Sequence, residues 1–348
     1  MSKKKCGHYS GIGGQAVLEG VMMKNKEAYA VSVRKPDGTI ETKRELYKGI
    51  GADKALTKLP FIRGVFNFVD SLVLGMQTLT WSASFFEDEE AEETKMDRAL
   101  DKVSKGKGEK LLMGFTVAFS IVLAVAIFIA LPFGISLLFQ SFVRNQTVLA
   151  LLEGVVRLAI FLIYVAAIAS MKDIRRVYQY HGAEHKCINC VEKGRPLTVK
   201  NVMRSSRFHK RCGTSFLLFV ILISILLFLF IRLDNPVLRL VVRILLIPVI
   251  AGISYEVIRL AGRSDNFLVN LFSRPGLWLQ RLTTREPDES MVEVAIASVE
   301  AVFDWKAYLS SEFGYEFEEE AERFSEEETE KGTGDEAAGA QEWESVPQ

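Results

Sequence analysis

Four stretches of the chain run unusually far without a charged residue: Leu111 to Val143, Leu158 to Met171, Cys212 to Ile231 and Ile244 to Tyr255. A helix that crosses a bilayer needs about 20 mostly apolar residues, and the first and third runs meet that length. The second and fourth reach it only by taking in Glu153 with Arg157 and Arg239 with Arg243, each pair four residues apart and so on one helix face. The pattern predicts four spans, at about 113–135, 149–170, 214–232 and 238–259. Buried core helices of a large soluble protein are the alternative, but charge-free runs of this length are rare there. The expected fold class is a polytopic α-helical membrane protein with about four transmembrane helices and a small N-terminal β-containing cytoplasmic unit.

Outside these runs the pattern changes. AVLEGVMMK and YAVSVRK read as strands, and KPDGTIE supplies a Pro-Asp-Gly turn, so residues 1–58 form a β-rich unit with a hairpin. Residues 59–86 are apolar with Arg63, Asn67, Asp70 and Ser71 on one helical face, which suits a helix lying in the membrane interface. A re-entrant or spanning reading of that segment stays open. Residues 87–110 are a charged linker, and 111–262 are the membrane domain, interrupted by a basic loop at 171–213. Helices are expected at about 275–284 and 288–303 within a C-terminal section, 263–315, and the Glu-rich residues 316–348 have little to bury and read as a disordered tail. No internal repeat is present.

Net charge is zero, which says nothing about partners, but 49% of the 348 residues are hydrophobic and the basic residues are unevenly placed. Eleven Lys or Arg against three acids fall in 171–213, which puts that loop in the cytoplasm. Both termini then share its side. MSKKKCGHYS has a basic patch with no apolar run behind it, so no cleavable signal peptide is expected. These features predict a multi-pass protein of the cell membrane.

Three of the four histidines and three of the four cysteines lie between 181 and 212. A cytoplasmic location keeps those thiols reduced, and two metal sites compete for them. In HGAEH, helical spacing puts His181 and His185 on one face to hold a divalent metal, zinc by ligand type, with Glu184 as the base that takes a proton from a metal-bound water. His209 and Cys212 can complete that site. Alternatively Cys187 and Cys190 join His209 and Cys212 in a closed structural zinc site, which leaves no open position for chemistry. Hydrogen-bonded histidines with packed thiols and no metal are the plain alternative. Glu256, near the cytoplasmic end of the fourth run, is costly in an apolar helix; it either reaches the same site as a second catalytic carboxylate or pairs with Arg259 or Arg263. Glu153 is expected to pair with Arg157, Arg239 or Arg243.

The segments GGQAVLEGVMM at 13–23, LPFIRGV at 59–65, HGAEHK at 181–186, HKRCGTSF at 209–216, SYE at 254–256 and PGLWLQRLTTREP at 275–287 resemble the YqhQ-like family. This is a bacterial membrane protein family of unknown function, commonly labelled a predicted metal-dependent enzyme. The resemblance covers roughly 11–305 and implies His181, Glu184, His185, His209, Cys212 and Glu256 as the site. Cys187 and Cys190 lie outside the family pattern.

Two functions follow from these residues. One is a membrane-embedded metal-dependent hydrolase acting on lipid-linked or membrane-bound substrates. The other is a membrane scaffold whose basic loop docks onto an acidic partner such as a ribosome or translocation machinery. Anionic lipid contact and the topology signal account for most of the same charge. No specific nucleic-acid signal is present, and a homo-oligomer is compatible with the sequence. A transporter finds neither a repeat nor a polar path through the spans.

Overall fold

The computed structural model describes residues 8–50, 57, 59–86, 108–231, 233, 235–263 and 266–317. Most of the linker at 87–110 and of the acidic tail lie outside these residues. Two compact units divide at Trp305 and Lys306; the helix Trp305–Phe313 starts at that boundary.

Four short strands, β1 (Ile12–Val17), β2 (Gly20–Asn25), β3 (Ala28–Arg34) and β4 (Ile40–Leu46), form an antiparallel meander in that order. The expected hairpin is thus part of a four-stranded sheet. Its Pro-Asp-Gly turn forms as the residue types dictate: Asp37 Oδ1 accepts from Thr39 N at 2.8 Å, and Gly38 takes φ +85°. The β1–β2 turn places Glu19, not a glycine, at φ +48°, where Arg176 and Tyr180 hold its carboxylate.

Alternation gives the sheet two buried faces. Val17, Met22, Tyr29, Val31 and Val33 pack on Leu74 of α1 (Ile62–Ala83). The opposite face meets α5 (Lys172–Glu192) and α11 (Glu289–Glu300), where the Ser298 hydroxyl is a donor within 3.0 Å of two strand carbonyls, those of Val21 and Ala30.

The helix expected at 59–86 is α1, and three residues of its polar face are held by neighbouring segments. Arg63 pairs with Glu256, Asn67 donates to the Tyr255 hydroxyl at 2.7 Å, and Asp70 accepts from Tyr47 and the Ile50 amide. Ile62, Val69, Leu72, Met76 and Leu79 form an exposed apolar stripe on the other side.

Among the described residues, two helical stretches are long and apolar enough to cross a membrane. The first, Gly114–Leu138, runs from α2 (Gly108–Val125) through a π-turn (Ala126–Ala130) into α3 (Leu131–Leu138); the second is α4 (Gln146–Ala169). A third arises if α8 (Pro236–Leu245) and α9 (Ile247–Arg263), bent by 42°, act as one span. At 214–232 the structure has α7 (Gly213–Phe228), apolar but only 16 residues long and so shorter than the expected span. Phe161, Val165, Leu218, Ile221 and Leu279 form the core that joins α4, α7 and α10 (Phe267–Thr283). The basic loop is itself ordered: α5 fills its first half, and a short helix, α6 (Val199–Met203), its second.

Candidate metal centre

Helix α5 carries His181 and His185 four residues apart on one face, with ring centroids 4.4 Å apart. Between them sits Gly182, a residue that costs a helix about 1 kcal/mol relative to alanine. Its reason is tertiary: a Cβ there would lie 2.0 Å from the backbone oxygen of Arg285. The close crossing brings the end of α10 against α5, so that Thr283 O faces His181. Gly14 does the same for the sheet, since a Cβ there would meet Glu184 Cγ at 2.9 Å. Cys212 arrives as the N-cap of α7.

These elements gather His181, His185 and Cys212 so that one ligand atom from each lies within 4.8 Å of the others. Both imidazoles are oriented by backbone carbonyls. His181 Nδ1 is 2.9 Å from Thr283 O, and His185 Nδ1 is 2.6 Å from Arg207 O. A carbonyl only accepts, so each Nδ1 carries a proton, and in the neutral ring each Nε2 then presents a lone pair. His181 Nε2 lies 3.3 Å from Cys212 Sγ, which also contacts Thr214 Oγ1 at 2.9 Å. Glu184 Oε2 is buried without a hydrogen-bond partner, although His185 Nε2 is only 3.4 Å away. In that tautomer both atoms are acceptors, and two acceptors facing each other in a buried site call for a positive species between or beside them. Two imidazole nitrogens and a sulfur, each histidine fixed through its other nitrogen, are a donor set that zinc accepts with one position left open. The residues present fit a metal.

Electrostatics favour the ligating form of the thiol. Burial pushes the Cys212 thiol up, but the His181 and His185 rings overcome it and hold the group well below the usual thiol range. Burial likewise depresses His181, yet the Cys212 thiolate raises it to about 9.

The other expected site residues are placed elsewhere. The His209 ring lies 5.6 Å from the His185 ring, tilted by 49°, but its Nε2 faces Glu192 at 3.6 Å, and its backbone is clamped by Gln280, which accepts from His209 N at 2.9 Å and donates to His209 O at 2.7 Å. Glu256 is held by Arg63 through both oxygens, at 2.6 and 2.5 Å, with Arg259 at 3.8 Å. It is tied to α1, which is the pairing alternative with an additional partner the sequence gave no reason to choose. Among the described residues, Cys187 and Cys190 are not grouped with His209 and Cys212 as a metal cluster. The helix runs straight through CINC, so Cys187 and Cys190, three residues apart, stand one turn apart on the same side of α5. Cys190 Sγ instead faces the carbonyls of Arg195 and Pro196 at 3.6 and 3.5 Å.

Sequence reasoning missed Thr283, Arg207, Gln280 and Glu192. The first two act through carbonyls, which any residue supplies. Gln280 lies inside PGLWLQRLTTREP, so the segment was marked without its role being visible.

Glu192 and His209 predict acid sensitivity. Burial opposes ionisation of Glu192, but the His209 hydrogen bond and Arg211 pull it to about 2, below its ordinary 4.5. Burial also lowers His209 from 6.5. Each folded-state value lies below the unfolded one, so each group contributes stability at higher pH that is lost on acidification. Thermal midpoints should fall first as pH drops below 6.5, through His209, and again between 4.5 and about 2, through Glu192. His209→Gln should abolish the first phase and leave the second reduced, held by Arg211 alone.

The comparisons with known proteins rest on the same part of the chain. Residues 59–305 match the family described as "Protein of unknown function (DUF1385)", ending where the first compact unit ends. The "Uncharacterized protein YqhQ" of Bacillus subtilis (strain 168) is 36% identical over 287 residues, covering 82% of this chain and 90% of that protein. The chain belongs to this YqhQ-like family. No solved structure matches it. Three of the segments that carry the family resemblance, HGAEHK, HKRCGTSF and PGLWLQRLTTREP, meet in the structure at one centre, on α5, the start of α7 and the end of α10.

Proposed function

We propose that this protein is a metal-dependent hydrolase of the membrane surface, with His181, His185 and Cys212 as metal ligands and Glu184 as the general base. The observation that carries the reading is the trio of ligand atoms within 4.8 Å, two of them imidazole nitrogens freed by Nδ1 contacts to carbonyls. Bound there, zinc would supply a Lewis acid and a water acidified to about pKa 7. Glu184 Oε2, buried and without a hydrogen bond, is poised to take a proton. Thr283 O and Arg207 O keep the two rings from turning, and Gln280 fixes the segment that delivers Cys212.

The substrate class follows from position. Cys212 caps an apolar helix, and α1 exposes its stripe of Ile62, Val69, Leu72, Met76 and Leu79. We read α2 with α3, α4, α7 and the α8–α9 pair as four spans with the 171–213 segment in the cytoplasm, so lipid-linked or membrane-bound esters are the substrates favoured. The scaffold alternative rests on the eleven basic residues of that segment. At least five of them are engaged internally: Arg176 by Glu19, Lys186 and Arg207 by Glu286, Arg211 by Glu192, and Lys210 by Asn270. Its support is correspondingly smaller.

The test is hydrolysis of p-nitrophenyl acyl and phosphoryl esters by the full chain in proteoliposomes. Chelation should abolish turnover and zinc should restore it. Glu184→Gln should keep its metal and lose about 10²–10⁴-fold in rate. Loss of metal together with rate would make Glu184 a ligand and refute its role as base.

A further inference from the structure

At the ends of α4 and α7 away from the metal centre, four charged side chains meet inside the apolar helices. Glu153 and Arg157, one turn apart on α4, are 2% and 4% exposed; Arg243 and Arg239 of α8 are 2% and 8% exposed. Arg157 donates to Glu153 at 2.6 Å and to Ser224 Oγ at 2.9 Å, and Arg243 donates to the second oxygen of Glu153. Arg239 donates twice to Leu233 O, at 2.9 and 2.7 Å. The rings of Phe133 and Phe228 lie against the guanidiniums, with Arg243 4.8 Å from one and 5.0 Å from the other.

The charges do not balance. Of the three guanidiniums, none of which gives up its proton, two reach Glu153, and Arg239 meets the Leu233 carbonyl. Two buried donors are also orphaned, the Nε atoms of Arg157 and Arg243. Aromatic faces offset only part of the cost of an unpaired buried cation. A surplus of buried arginine with free N–H groups is complementary to a bound anion, and the Nε–Nη edge of a guanidinium matches phosphate oxygens in pairs.

We infer that this cluster binds a phosphate-bearing anion, either a phospholipid headgroup or free phosphate, through Arg157, Arg239 and Arg243, with Glu153 spacing two of the guanidiniums. Entry is beside Arg239, the most exposed of the three, where its guanidinium meets Leu233 O. Along α7, Ser224 lies twelve residues beyond Cys212, about 18 Å at 1.5 Å per residue, so the site is separate from the metal centre. It stands whether or not that centre is catalytic.

The test is thermal unfolding of the full chain in detergent, titrated in parallel with inorganic phosphate, phosphatidylglycerol and a phosphate-free glycolipid. A phosphate-bearing ligand should raise the midpoint by several degrees and the glycolipid should not. A response to both phosphate ligands identifies the free ion as sufficient; a response to phosphatidylglycerol alone identifies the headgroup. Arg239→Gln should weaken the response at least about fivefold, with Arg239→Lys between the two. Glu153→Gln, which removes the competing carboxylate, should tighten it. No response to either phosphate ligand, or an equal response in wild type and Arg239→Gln, overturns the inference. If Arg239→Gln does not fold, an unchanged or weakened response in Glu153→Gln overturns it instead.

Discussion

His185→Ala is expected to leave the purified protein without its transition metal, while Cys190→Ala keeps a full complement. In the proposed site His185 offers one of three ligand atoms, and removing even an outer partner of a ligand costs about 10–100-fold in affinity; removing the ligand itself costs more. His185 is buried and hydrogen-bonded to Arg207 O, so the variant also loses packing, and circular dichroism must show that the helices persist. Cys190 is equally buried, but its sulfur faces the Arg195 and Pro196 carbonyls. Its loss should cost about 1 kcal/mol and no metal. Elemental analysis of the two variants beside wild type reads the result. Metal retained in His185→Ala would refute the assigned ligand set, and metal lost in Cys190→Ala would revive the closed cysteine site.

Gly182→Ala is expected to be among the most damaging single-methyl changes in the chain. Alanine gains about 1 kcal/mol of intrinsic helix preference, yet its Cβ would stand 2.0 Å from Arg285 O and 3.4 Å from Pro287 Cδ. The neighbour at 2.0 Å is backbone, tied back to α5 by the Arg285 N to Tyr178 O hydrogen bond at 2.8 Å, so it cannot swing aside as a side chain would. Overpacking of this kind costs about 1–3 kcal/mol or more, which outweighs the propensity gain. The midpoint should fall by roughly 4–10 °C. Metal affinity should fall with it, because displacing 283–287 removes Thr283 O from His181 Nδ1. Gly134→Ala is the control: its Cβ would meet nothing within 4 Å, so the midpoint should hold or rise. Equal behaviour of the two variants would count against the crossing that positions His181.

Several parts of this molecule were legible before any coordinates. Long apolar runs marked apolar helices because the bilayer sets a length that few soluble cores share, and the spans expected at about 113–135 and 149–170 appear as helices of that length, Gly114–Leu138 and Gln146–Ala169. Helical spacing put His181 and His185 together, since that contact is local. Glu153 was expected to pair with Arg157, Arg239 or Arg243 because a buried charge must find a partner, and it pairs with the first and the third. The pattern was less informative where length and neighbours compete. It could not tell that α7 would stop at 16 residues, or that a helix would continue through CINC.

The sequence by itself determined the family, the apolar character of the helices and the residue types available for a metal, because each of these is written in local composition and spacing. Only the tertiary structure decided which residues meet. Cys212 joins the histidines because it caps a helix that docks beside α5, and Glu256 is taken by Arg63 because α1 lies against α9. The tautomers of His181 and His185 depend on carbonyls from segments about 100 and 22 residues away. Contacts between distant segments, made through backbone atoms that every residue carries, leave no trace in residue type.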